Sequence, residues 1–436
     1  MQALAFPGAF TCWEAFDMDP ALFTATEASR LIQSGKLTPR DLLEACLARI
    51  AAREPEVRAF AFIDPAQARA AKPLPGPLHG IPIGVKDVFD TADMPTEHGS
   101  PIWTGWRPKA DAAAVSLARG AGAIVIGKTV TAEFAIRTPG PTAHPHTLLH
   151  TPGGSSSGSA AGVADWFFPL AYGTQAMGSL IKPAAYCGVV GFKPSFGLIN
   201  RGGVKLVSET LDTIGVIARS VADCALFASA VSGQNLGCPD IRPEHAPRIG
   251  VCRSPMWSKA QPETRLLLAD VAAALSRAGA QITEYELPTD FDAALRTFPH
   301  VVNREAAQGL GWELTHARDQ ISSPLREQLD AGLAVTWEQY SKAVAAFAQV
   351  RDRFSATFGD LDILMTPAAT GEAPEGLAST GDSSFNSLWT ALHVPCVTVP
   401  AGKGPQGLPL GIQIVARRGD DRAALAWAQW VAAALS

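Results

Sequence analysis

The run Gly153-Gly154-Ser155-Ser156-Ser157-Gly158-Ser159-Ala160-Ala161-Gly162 holds four serines, four glycines and no charge. Glycine lets backbone approach a ligand or another backbone closely, at an entropic cost when ordered. Serine brings a hydroxyl that both donates and accepts. Such a composition can belong to a flexible linker. Here apolar segments follow at once, at residues 166–171 and 187–192. The run is therefore embedded in core-forming sequence. It reads as an ordered loop entering a helix, with its serines in fixed positions.

Working outward, residues 158–166 predict a helix of small side chains, 169–173 a strand and 188–192 another. Upstream, Thr38-Pro39-Arg40-Asp41 starts a helix, with Thr as N-cap, Pro at N1 and an acid at N3. Residues 57–63 alternate as a strand does. Residues 80–85 form a buried strand that ends at Lys86-Asp87, and 123–127 form another. Downstream, 221–231 and 263–277 are amphipathic helices around a strand at 248–252. Strands return at 362–365, 396–399 and 410–415, and the chain ends in a helix at 423–435. This alternation argues an α/β fold, its sheet covered by helices on both faces. Residues 260–358 read as a mainly helical cap. No linker separates it, so 1–436 is expected to be a single domain.

The 436 residues are 47% hydrophobic with net charge −5, enough for a large core. No basic block exceeds two residues, so neither nucleic acid nor an anionic membrane is an expected partner. Seven scattered cysteines include no C-x-x-C pair. That argues against a disulfide framework or a zinc site and fits a reducing cytoplasm. Residues 1–9 carry no Lys or Arg before their apolar positions, unlike a secretory signal. No apolar run of about 18 residues offers a membrane span. Oligomeric state stays open, a homodimer included.

Three places carry chemistry: Lys86 at a strand end, the serines at 155–157, and Gly178-Ser179 after Gly173-Thr174-Gln175. A serine hydroxyl needs a base. None of the nine histidines sits in a recognisable triad context. A neutral lysine is the other option, since burial disfavours the ammonium. Lys86 follows an apolar strand, the right setting for one. Taken alone, Lys86-Asp87 reads first as a solvated turn.

Together these segments resemble the amidase signature family. The resemblance rests on Gly84-Val85-Lys86-Asp87 and on Pro152 with the serine run. It rests further on Gly173-Thr174-Gln175 through Gly178-Ser179, and on Pro183-Ala184-Ala185-Tyr186-Cys187-Gly188. It extends to Asp212-Thr213 and to Leu408-Pro409-Leu410-Gly411-Ile412-Gln413. The malonamidase-like branch is nearest, with aryl acylamidase and urethanase-like branches beside it. The resemblance implies a large mixed β-sheet and a Ser–cis-Ser–Lys triad without metal or organic cofactor. Ser179 would be nucleophile, Ser155 the relay after a cis peptide, and Lys86 the base. The N–H groups of Ala176, Met177, Gly178 and Ser179 would form the oxyanion hole. Ser156 and Ser157 would be supporting residues, and Ser159 would bond the lysine. Gly154, Gln175, Met177, Lys182 and Trp389 are the expected substrate contacts.

The chain departs from the family at Gln175, usually Asp, though the malonamidase branch shares this Gln. It departs again at Ala176-Met177, usually a small residue and Gly, and at Lys182, usually Arg. In malonamidase-like proteins that Arg meets the substrate carboxylate. Lysine lacks the bidentate fork, which weighs against malonate-type specificity. Trp103, Trp106, Trp166 and Trp389 read by default as core residues. With Met177 and Leu180 they could instead line an apolar pocket. The expected substrate is thus a small amide with an apolar or aryl group, cleaved at its C–N bond through an acyl-enzyme. Carbamates and esters are the alternative.

Other readings compete. Gly154-Ser155-Ser156-Ser157-Gly158 fits the G-x-S-x-G nucleophile elbow, with Ser156 attacking and a late base such as His393. That elbow needs a strand directly before it, and Pro152-Gly153 stands there. His144, His146 and His150 suggest a metal site, but their interleaved prolines favour loop residues beside the site. A third reading is the amidotransferase subunit that works in a complex on charged tRNA. Gln175, Met177, Lys182 and the acidic charge argue against it.

Overall fold

The computed structural model describes residues 18–237, 243 and 245–436. Residues 1–9, Cys12 and Cys238 of the sequence reading lie outside that set. The five described cysteines are free and buried. No described helix is long and apolar enough to cross a membrane.

Eleven strands form one mixed sheet. They are β1 (Phe60–Ile63), β2 (Pro82–Lys86), β3 (Ile124–Thr129), β4 (Leu170–Gln175), β5 (Val190–Lys193) and β6 (Thr213–Ala218). The others are β7 (Arg248–Cys252), β8 (Gln281–Tyr285), β9 (Ile363–Pro367), β10 (Cys396–Lys403) and β11 (Pro409–Val415). Their order is β1-β3-β2-β4-β6-β5-β10-β11-β9-β7-β8. β2 runs parallel to both neighbours, β3 and β4. β4, β6, β5, β10, β11 and β9 then pair antiparallel in succession. Every residue of β2, β3 and β4 is buried, as strands covered on both faces require.

Helix Pro39–Val57 opens with the Thr38–Asp41 capping box and runs on to Val57, capped by left-handed Arg58, so β1 starts only at Phe60. The serine run enters helix Ser157–Ala164, all of it buried. Small side chains are what let it lie against the sheet. A Cβ on Gly158 would fall 2.1 Å from the carbonyl oxygen of Ala59. Helix Ile181–Cys187 follows Ser179 and ends at Gly188, whose φ of 71° closes it in the left-handed region.

The stretch 260–358 is less uniform than its sequence suggests. Pro262–Arg277 is a helix, but β8 follows and pairs parallel with β7 at the sheet edge. β8 is half exposed, so its apolar signal is weak. The helical region proper runs from Thr289 to Thr357. Within it, helix Phe298–Gly309 packs on helices Ser323–Ala334 and Trp337–Thr357.

Candidate active site

Lys86 is the last residue of β2 and Thr174 lies on the adjacent β4. The Lys86 side chain is wholly buried. Its Nζ lies 2.8 Å from Ser155 Oγ and 2.7 Å from Thr174 Oγ1. Ser155 follows a cis peptide bond from Gly154. Burial pushes the Lys86 pKa down to about 7, against the field of Asp212, which favours the ammonium. Burial raises Asp212 in turn, while the N–H groups of Val207 and Ser208, at 2.6 and 2.8 Å, hold its carboxylate.

Ser179 sits just ahead of helix Ile181–Cys187. Gln175 Oε1 accepts from the N–H groups of Leu180 (3.1 Å) and Ile181 (3.0 Å), satisfying two otherwise open donors of that helix start. Its Nε2 donates to Thr390 Oγ1, and that hydroxyl donates to the Met177 carbonyl at 2.9 Å. The N–H of Ser156 donates to the Ser179 carbonyl at 3.1 Å, which ties the two serine loops together. Among the described residues, the N–H groups of Ala176, Met177, Gly178 and Ser179 donate to no group of the chain. Four free donors in sequence can cradle a negative oxygen. Gly178 has no room for a side chain, since a Cβ would fall 2.4 Å from Asn386 Oδ1.

A cavity of about 760 Å³ opens over these groups, with Gly154, Ser155, Ala176, Met177, Ser179 and Lys182 in its wall. The Lys182 ammonium donates to the Gly381 carbonyl (2.7 Å) and Ser383 Oγ (3.1 Å). It thereby ties the segment around Gly381 to the helix behind Ser179. Burial pushes its pKa down to about 7.

Several expected contacts are absent from the wall. Gln175 is fully buried and caps the helix, so it is not a substrate contact. Trp389 lies in the core beside Phe354, ring centroids 6.0 Å apart. Trp103 packs on Trp106 and Trp312, and Trp166 lies under Arg219. Leu180 is buried away from the cavity. Ser159 bonds Thr129 Oγ1 and the Tyr172 carbonyl, and Thr174 stands at the lysine instead. Thr174 and Asp212 stood in the quoted motifs without a role. Strand alternation gave no signal for Thr174, since it shares a sheet face with Tyr172, which is in register with Val85 rather than Lys86.

The competing sites have other engagements. Ser156 is buried, with its Oγ 3.3 Å from both the N and O of Thr174, so it is no exposed elbow nucleophile. His393 stacks on Phe196 and bonds the Thr210 carbonyl. His144 and His146 reach the carbonyls of Tyr186 and Cys187, beneath the end of helix Ile181–Cys187. His150 bonds the Ala373 carbonyl. None of the three lines the cavity.

The sequence profile of the Amidase family matches residues 41–425. One of the subunits of glutamyl-tRNA(Gln) amidotransferase from Chloroflexus aggregans is 32% identical, over 91% of this chain and 93% of its own length. A solved structure described as an amidase superposes with a TM-score of 0.86 at 30% identity, covering 95% of this chain and all of that one. 6-Aminohexanoate cyclic dimer hydrolase, solved with its substrate, superposes with a TM-score of 0.86 at 25% identity, covering 96% of this chain and 98% of its own. With a profile match across most of its length, this chain belongs to the Amidase family.

Proposed function

We propose that this chain hydrolyses the C–N bond of small amides through an acyl-enzyme. Ser179 is the nucleophile, Ser155 the relay and Lys86 the base. One observation carries the reading. A wholly buried lysine contacts Ser155 Oγ at 2.8 Å, and Ser155 shares a cavity wall with Ser179.

In the neutral form the Lys86 amine accepts the Ser155 proton as Ser155 accepts that of Ser179. Ser179 Oγ then attacks the carbonyl carbon. The N–H groups of Ala176, Met177, Gly178 and Ser179 receive the negative oxygen. One such donor is typically worth about 2.7–4 kcal/mol of barrier. The proton returns through Ser155 to the leaving nitrogen, and water repeats the sequence on the ester. Carbamates and esters form the same tetrahedral oxyanion and are the alternative substrates.

The test is a panel of aryl amides, carbamates, nitrophenyl esters and malonamate, read against Ser179→Ala. Turnover that vanishes in the variant, with a burst of first product in the wild type, supports the reading. Wild-type turnover by Ser179→Ala ends it. A second reading follows from the 32% identity to one component of an amidotransferase. Co-purification with small partner proteins, and no turnover without them, would favour that role.

A further inference from the structure

Among the described residues, the cavity wall contains two basic side chains, Arg137 and Lys182, and no Asp, Glu or His. That imbalance stands out in a chain of net charge −5. Lys182 is committed to Gly381 and Ser383, as described. Arg137 is different. Its Nε donates to Gln328 Oε1 at 2.8 Å, and among the described residues its two terminal nitrogens have neither a hydrogen bond nor an ion pair.

Arg137 is also held in place by its surroundings. It follows Phe134 and Ala135, two non-glycine residues with φ of 47° and 60°. Left-handed backbone of this kind is unfavourable for a residue with a Cβ and persists where the surroundings enforce it. Here the Phe134 N–H is bonded to the His98 carbonyl and the Glu133 N–H to that of Thr138. Thr138 Oγ1 meets Ser322 Oγ at 2.5 Å, and Gln328 lies on helix Ser323–Ala334. Arg137 is exposed, and sheet side and helical region together hold its Nε at the cavity wall while its terminal N–H groups stay open to solvent.

We infer that Arg137 binds a carboxylate on the substrate, so that the preferred substrate is an anionic amide. Ile136, Met177, Phe298, Val302 and Leu377 give the same cavity an apolar lining. A guanidinium stays charged and presents paired donors that match a carboxylate. This inference rests on the amide-hydrolase reading of the same cavity.

Two matched pairs test it: para-acetamidobenzoate against acetanilide, with the charge on the amine side, and succinanilate against butyranilide, with the charge on the acyl side. The wild type should favour the anionic member of at least one pair by about tenfold or more in kcat/KM, chiefly through KM. Arg137→Met should bring that ratio close to one, Arg137→Lys should keep part of it, and Arg137→Glu should invert it. Ratios within about threefold for both pairs, or a preference that survives Arg137→Met, overturn the inference while leaving the hydrolase reading standing. If the wild type cleaves no member of either pair, calorimetric titration of Ser179→Ala with the same compounds reads the anion site alone. Tighter binding of an anionic member, lost in the Arg137→Met background, supports the inference. Equal or undetectable binding of both members overturns it.

Discussion

Two lysines on neighbouring parallel strands are equally buried and differently used. Lys128 on β3 lies 3.1 Å from the Asp87 carboxylate and also donates to Pro95 O and Thr96 Oγ1. Among the described residues, Lys86 on β2 bonds only the hydroxyls of Ser155 and Thr174. Burial lowers both pKa values. For Lys128 a carboxylate in contact opposes that shift, whereas for Lys86 the opposing anion, Asp212, is not in contact. One lysine is thus held as half of an ion pair, and the other is free to exchange its proton near neutrality. A buried lysine is not a base by virtue of burial; what it touches decides.

The sharpest way to break this comparison is to remove each amine in turn. Lys86→Met should fold and lose about ten-thousand-fold or more in kcat, in line with loss of a group that acts as one unit with others. Turnover within tenfold of wild type would remove Lys86 from the chemistry. Lys128→Met should instead lose stability, by about 3–5 kcal/mol, because it strands the Asp87 carboxylate in the interior. Chemical denaturation reads that loss, and an unchanged midpoint would mean the pair is not the support described here. Equal effects of the two substitutions on kcat would erase the distinction altogether.

The pH profile sharpens the contrast with a smaller effect. The Lys86 pKa is pushed down to about 7, so the amine is protonated below that value and neutral above it. Turnover by neutral Lys86 should therefore rise about tenfold per unit below pH 7 and level off above it. Full activity well below pH 6 would exclude a lysine base. Asp212→Asn gives the least change and the most specific one. The anion raises the Lys86 pKa, so its removal should move the kcat/KM midpoint to lower pH. A shift to higher pH would contradict the field assigned to Asp212.

Much of the frame was legible because it is local. The capping box at Thr38 and the small-residue helix after Ser157 follow from short-range sterics and hydrogen bonds. β8 was not legible, since Gln281–Tyr285 is a half-exposed edge strand that declares itself only by pairing with β7. Gln175 and Trp389 were expected at the substrate, but their side chains turn into the helix start and the core. Arg137 drew no notice in the sequence, because an isolated arginine in a loop carries no pattern.

By itself the sequence determined that Lys86 ends a buried strand, that two serine loops accompany it, and which family the motifs resemble. Only the tertiary structure decided which lysine pairs with which acid. Lys86 and Asp87 are adjacent in the chain, yet successive residues of an extended strand face opposite sides. The register sets Val85 beside Lys128, so Asp87 shares the face of Lys128, and Lys86 turns to the other side, toward the serines.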